Sequence, residues 1–183
     1  MSGEIALTTQ PTVLTIGHST RALDTFIEML FAHGVKHLVD VRTIPRSRHN
    51  PQFNRDTLPD ALRFAGIAYT HLEQLGGLRR AHPDSPNTGW RNSSFRGFAD
   101  YMQTTEFEAG LEKLMHLAAR EQTVIMCAEA VPWRCHRSLI ADALNVRGAQ
   151  VEHIMSASRT QPHLLTSFAK VSGIHIAYPR EAG

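Results

Sequence analysis

The chain has 183 residues, 42% of them hydrophobic and 20% charged, with a formal net charge of +2. A chain of this length and composition is ordinary for a globular protein and can bury a sizeable core, so disorder is not the default, and so small a charge does not by itself argue for nucleic acid or a membrane surface. Two cysteines do not make a disulfide framework, no apolar run approaches the ~18 residues needed to span a bilayer, and Met1 to Pro11 lacks a basic segment followed by an apolar core, so the expectation is a cytoplasmic protein with reduced thiols and no membrane partner.

In chain order, residues 1–11 are expected to form a flexible N-terminus and residues 12–183 a single α/β domain. Thr12-Val13-Leu14-Thr15-Ile16 is a β-branched run stopped by Gly17-His18-Ser19-Thr20, which predicts a strand and a tight turn with Ser19 or Thr20 capping the next helix. Phe26, Ile27, Leu30 and Phe31 recur at helical spacing, and Gly34 ends that helix. His37-Leu38-Val39-Asp40-Val41 reads as a second strand leading into the basic loop Arg42-Thr43-Ile44-Pro45-Arg46-Ser47-Arg48. A helix over Asp56 to Phe64 and a third strand over Ile67 to Leu72 follow.

Glu73 to about Ser93 has no sustained period, and a loop this long in a compact domain is functional or disordered. One or two helices are predicted over Phe95 to Met102 and Thr105 to Arg120. A fourth strand follows at Thr123 to Cys127, then a helix over Cys135 to Val146 and a fifth strand over Ala149 to Ile154. The tail suggests a short helix around Leu164 to Ala169 and a strand at Gly173 to Tyr178. Strands alternating with helices predict an α/β fold: three layers, with a mainly parallel sheet covered by helices on both faces. Parallel order brings four loops to one edge: Gly17-His18-Ser19, Asp40-Val41-Arg42, His71 with Gly76-Gly77-Leu78-Arg79, and Cys127 to Arg137. Ligands bind at that edge in such folds.

Five pieces, in this order, carry a family likeness: Thr15-Ile16-Gly17-His18-Ser19, Leu38-Val39-Asp40-Val41-Arg42 with Pro45, Leu75-Gly76-Gly77, Met126-Cys127-Ala128-Glu129, and Cys135-His136-Arg137. On them the chain resembles the bacterial family labelled domain of unknown function 488. The resemblance implies a single α/β domain and brings no activity with it, so function is read from the residues.

The chain has sixteen arginines against three lysines, and Arg42 to Arg96 holds nine arginines and four acids. Either the bias is genomic, or the planar guanidinium fork recognises phosphate or carboxylate. Cys127 ends a strand and is a small buried hydrophobe or a nucleophile. Cys135, placed at a helix start beside Arg134, His136 and Arg137, is expected to have a lowered pKa and the stronger case for reactivity. Strand, Cys127, loop and Arg134 are similar to the anion loops of cysteine phosphatases and sulfurtransferases, but six residues separate Cys127 from Arg134 and Glu129 adds a negative charge.

The leading reading is an anion-binding, cysteine-dependent hydrolase or transferase acting on a small phosphorylated or nucleotide-like molecule. Cys127 or Cys135 would be the nucleophile and Glu129 or His136 the proton-transfer group. Arg42, Arg79 and Arg137 would bind charge, with His18, Ser19, Asp40 and Trp133 beside the substrate. Asp40 has a bland alternative as a buried partner of an arginine, Ser19 as a cap, and Trp133 as a lid on the core. A rival reading is a nucleic-acid-binding module using the basic loops with Trp90 or Trp133. Another is a metal protein, with ligands drawn from the two cysteines and His18, His71, His136 and His153, although their spacing matches no standard zinc motif. No motif calls for a cofactor.

Overall fold

The computed structural model describes residues 10–182. The flexible segment expected at 1–11 lies, but for its last two residues, outside the described residues. Eight strands are described: β1 (Thr12–Gly17), β2 (His37–Asp40), β3 (Ala68–His71), β4 (Thr123–Cys127), β5 (Gln150–Ser156), β6 (Arg159–Pro162), β7 (Lys170–Ser172) and β8 (His175–Ala177). The helices are α1 (Leu23–Ala32), α2 (Leu58–Phe64), α3 (Ser93–Tyr101), α4 (Thr105–Arg120) and α5 (Arg137–Val146). Six strands form one sheet in the order β3-β2-β4-β1-β5-β6, parallel except for β6, and the last two pair as a hairpin. The α/β class with a mainly parallel sheet flanked by helices is as the alternation predicts.

Period-two alternation divides the core. Leu14, Ile16, Leu38, Val124 and Met126 face one side and pack against Phe26 and Leu30 of α1 and Leu58 and Leu62 of α2. Val13, Val39, Ile125 and Cys127 face the other, against α3, α4 and α5. β4 and β1 are central and buried on both faces, which is why both read as continuous apolar runs. After β1 the chain crosses toward β2 with its helix on one face; after β4 it crosses toward β5 with its helix on the other. The direction of winding therefore reverses between β1 and β4, and their C-terminal ends open a crevice at that switch point.

Several local expectations change. Ser19 and Thr20 do not cap α1: its N-cap is Ala22, with no side-chain cap bond. The helix expected from Cys135 begins two residues later. Pro132–Arg134 form a 3-10 turn, Cys135 is extended (φ −135°, ψ 148°), and His136 is the N-cap. Pro132 sets off the tight turn, and the extended Cys135 separates it from α5. No helix forms at Leu164 to Ala169, where the chain holds only a turn, and Ser156 to Arg159 is the turn of a β5–β6 hairpin.

A polar chain fastens this tail. The Thr15 hydroxyl lies 2.6 Å from His153 Nδ1, His153 Nε2 lies 2.9 Å from His163 Nδ1, and His163 Nε2 lies 2.7 Å from Asp142. Thr166 and Tyr178 also donate to Asp142. Those bonds hold the segment extended and outcompete its helical periodicity. The long loop before α3 is likewise ordered, by Asp100: its carboxylate accepts from the His82 N–H, the Ser85 hydroxyl and the Asn87 amide. Burial alone would raise the Asp100 carboxyl, but these bonds outweigh it and hold the pKa below the ordinary value.

One glycine fixes the crevice. A Cβ on Gly17 would stand 1.7 Å from the Glu129 carbonyl oxygen, a backbone atom that cannot swing away. Gly17→Ala is therefore expected to destabilise the fold by about 2–3 kcal/mol, within the usual cost of overpacking or somewhat above it, read from urea unfolding. An unchanged unfolding midpoint would mean that the loop after β4 does not rest on β1.

Candidate functional site

The C-terminal ends of β1, β2, β3 and β4 surround a cavity of about 560 Å³. His18 comes from the β1 loop, Arg42 and Arg46 from the β2 loop, Gly77 and Leu78 from the β3 loop, and Cys127, Glu129, Arg134, Cys135 and His136 from the β4 loop. Asn92, Ser94 and Phe95 at the start of α3 close the remaining side.

His18 follows the pairing of β1 with β4 past the strand ends: its N–H donates to the Cys127 carbonyl at 2.9 Å, and the Ser19 N–H to that of Ala128 at 2.9 Å. This pairing holds Ser19 at φ 51°, a left-handed conformation that costs a residue other than glycine about 1–2 kcal/mol. The His18 ring is buried and stacked on Phe53 at 4.4 Å. Its Nδ1 donates to the Ser19 carbonyl at 2.8 Å, which leaves Nε2 as a lone pair 3.4 Å from Arg42 Nη1. Burial, with the nearby Arg42 charge, lowers its pKa, so the ring is neutral.

Arg42 is held on both sides. Nε and Nη2 reach the two oxygens of Asp40 at 2.9 and 2.7 Å, and Nη2 also donates to the Phe53 carbonyl. Asp40, fully buried, accepts in addition from the Arg42 N–H and from the Tyr69 hydroxyl. Asp40 is not in the cavity wall; it aims the guanidinium whose Nη1 is left at the cavity.

The two thiols meet at the cavity floor. Both are free and buried and line the same cavity, and the Cys127 Sγ lies 3.8 Å from the Glu129 carbonyl oxygen. Burial pushes Cys127 up, but the neighbouring Cys135 thiol and the positive charge of Arg137 outweigh it and bring its pKa below the ordinary thiol value. Cys135 is pushed well up, by burial first and then by the anionic character of its neighbour. The helix-start argument for Cys135 fails because Cys135 lies outside the helix; the thiol with the better case is Cys127. Arg137, 1% exposed, donates through Nη2 to the Ala130 carbonyl, while Nε and Nη1 have no hydrogen-bond partner among the described residues. It is not in the cavity wall; its N–H donates to Cys135 Sγ at 3.5 Å, and its charge favours the Cys127 thiolate.

His136 Nε2 donates to the Val41 carbonyl at 2.9 Å, and its Nδ1 lies 3.5 Å from Cys135 Sγ. Burial lowers its pKa to about 4. The ring sits directly over Gly77, where a Cβ would stand 2.6 Å from Nδ1. Glu129 is exposed at the rim.

Ser19, Arg79 and Trp133 are not brought to the cavity. Arg79 bends back to the carbonyls of Gly76 and Glu73 and lies 3.7 Å over the Tyr101 ring, and Trp133 is 59% exposed outside. Arg46 and Arg134 are exposed cations of the cavity wall; Arg134 is the arginine of the anion-loop likeness, whereas spacing did not single out Arg46, for which the run of arginines after β2 was the available signal. Among the described residues no group of three or more His, Cys, Asp or Glu side chains is placed to hold a metal. No described helix is long and apolar enough to cross a membrane.

The sequence profile described as Domain of unknown function DUF488 matches residues 22–144, most of the chain. The chain belongs to this family. The match takes in the Asp40–Arg42 pair and both cysteines of the cavity. His18 and Gly17, which complete the crevice of this DUF488 domain, precede the matched span. No curated protein and no solved structure gives a match.

The Asp40–Arg42 pair carries a direct prediction. Asp40→Ala leaves a buried guanidinium without its counter-charge and is expected to cost about 3–5 kcal/mol in chemical denaturation. A loss well under 1 kcal/mol would mean that the pair is solvated and does not organise the edge.

Proposed function

We propose that this DUF488 domain is a thiol-dependent enzyme that acts on a small anion, phosphorylated or nucleotide-like, with Cys127 as nucleophile. The observation that carries the reading is two buried free thiols in the wall of the switch-point crevice, which is also lined by arginines from two loops. Arg42 Nη1, Arg46 and Arg134 would bind the anionic group. His18 Nε2, neutral and with a free lone pair, would accept a hydrogen bond from the substrate or orient the Arg42 fork. Glu129 at the rim would take part in proton transfer to or from solvent. Ile44 and Leu78, both exposed and both in the cavity wall, offer an apolar lip for a base or another flat group next to the anion. The setting proposed is a reducing cytoplasm, which keeps the thiols free.

The test is protection. Iodoacetamide is expected to modify Cys127 before Cys135, and saturating inorganic phosphate or a nucleoside monophosphate to slow that modification. Arg134→Ala and Arg46→Ala, both at exposed positions, are each expected to weaken the protecting anion about tenfold, the value of one charge-assisted contact. Modification that ignores all anions would remove the anion-binding reading. Protection by long oligonucleotides alone, falling steeply with salt, would transfer the site to nucleic acid.

A further inference from the structure

The reading above uses one thiol. The second is buried, lines the same cavity, and has an imidazole nitrogen within reach of its sulfur. Cys135 Sγ lies 3.5 Å from His136 Nδ1 and accepts the Arg137 N–H at 3.5 Å. With Nε2 of His136 committed to the Val41 carbonyl, Nδ1 carries the lone pair, and it faces the Cys135 sulfur. Cys135 is an extended residue between a 3-10 turn and α5, with its N–H donating to the Pro132 carbonyl and its carbonyl accepting from the Ser138 N–H and hydroxyl.

We propose that Cys127 and Cys135 form a reversible disulfide in response to small hydroperoxides, with Cys127 the attacking thiol and Cys135 the resolving one. The Cys127 thiolate attacks one oxygen of the peroxide. An S–O bond forms, the O–O bond breaks, and the departing hydroxide or alkoxide takes a proton from solvent, leaving Cys127 as a sulfenic acid. The Cys135 sulfur then attacks Cys127. The S–S bond forms, the S–O bond breaks, and the departing hydroxide takes the Cys135 proton and leaves as water. Each cycle reduces one peroxide and oxidises two thiols. A dithiol reductant restores the pair.

The burial of Arg137 decides how stable the disulfide is. In the reduced state its charge faces the Cys127 thiolate; in the disulfide that negative charge is gone, and Nε and Nη1 are left without compensation. The reduced form is therefore favoured, so the disulfide is a labile one that ordinary dithiols reverse rather than a structural bond. Oxidation also removes the nucleophile, so the same event shuts the site. The inference rests on the proposed function only for the reactivity of Cys127, and needs no anionic substrate.

The experiment is oxidation of the intact chain with equimolar hydrogen peroxide, with dimedone present as a sulfenic-acid trap and mass spectrometry as the readout. The wild-type chain is expected to lose the mass of two hydrogens, to yield a linked Cys127–Cys135 peptide, and to recover with dithiothreitol. Cys135→Ser and Cys135→Ala, each checked for native circular dichroism, are expected to lose the linked peptide and to accumulate the dimedone adduct at Cys127. Cys127→Ser is expected to lose both. A wild-type chain that accumulates dimedone adduct or sulfinic acid at Cys127 without a linked peptide would overturn the pairing while leaving Cys127 as a nucleophile. A Cys127 inert to both peroxide and iodoacetamide would sink this inference and the proposed function together.

Discussion

A guanidinium that is 1% exposed, with two of its three nitrogens unpaired, demands a negative charge nearby, and in this fold the group in position to supply it is a thiol. Burying an uncompensated cation costs several kcal/mol, which is why buried arginines are normally met by carboxylates. Arg42 is met in that way, by Asp40. Arg137 is not. Its field falls instead on Cys127, where the neighbouring Cys135 thiol and Arg137 together outweigh desolvation and lower the pKa.

The sheet order makes this arrangement possible. Since β1 and β4 are neighbours whose helices depart to opposite faces, the chain leaving β4 runs across the end of β1 before it turns into α5. That path puts Cys127 at the strand end, lays Glu129 on Gly17, and returns Cys135 to the neighbourhood of Cys127. The loops after β2 and β3 then bring Arg42 and Gly77 from the other side. His136 ties them together by bonding the Val41 carbonyl while resting on Gly77.

Much of this was legible in the sequence. Alternating elements and the convergence of four loops follow from apolar periodicity and glycine stops, which report burial and chain reversal directly. Cys127, Glu129, Cys135, His136, His18 and Arg42 were all expected at one edge, and all line the cavity. What did not show was anything set by side-chain direction. The reach of Arg79 to Tyr101, the outward turn of Trp133 and the seat of Arg137 outside the cavity wall depend on rotamers that spacing does not encode. The placement of Cys135 in the first helical turn failed for a sharper reason: Pro132 starts a 3-10 turn that delays α5 by two residues and takes Cys135 out of the helix. The tail misled because Asp142, His153 and His163, far apart in sequence, form a network that overrides local helical spacing.

The central claim is that Arg137 favours the thiolate of Cys127, and a thiolate can be seen directly by its ultraviolet absorbance as pH is raised. Because the folded pKa lies below the ordinary thiol value, the Cys127 absorbance should appear at lower pH than that of the same cysteine in the unfolded chain. It should vanish in Cys127→Ser and move upward in Arg137→Met. A Cys127 that ionises at or above the ordinary midpoint, or one indifferent to Arg137→Met, would contradict the account.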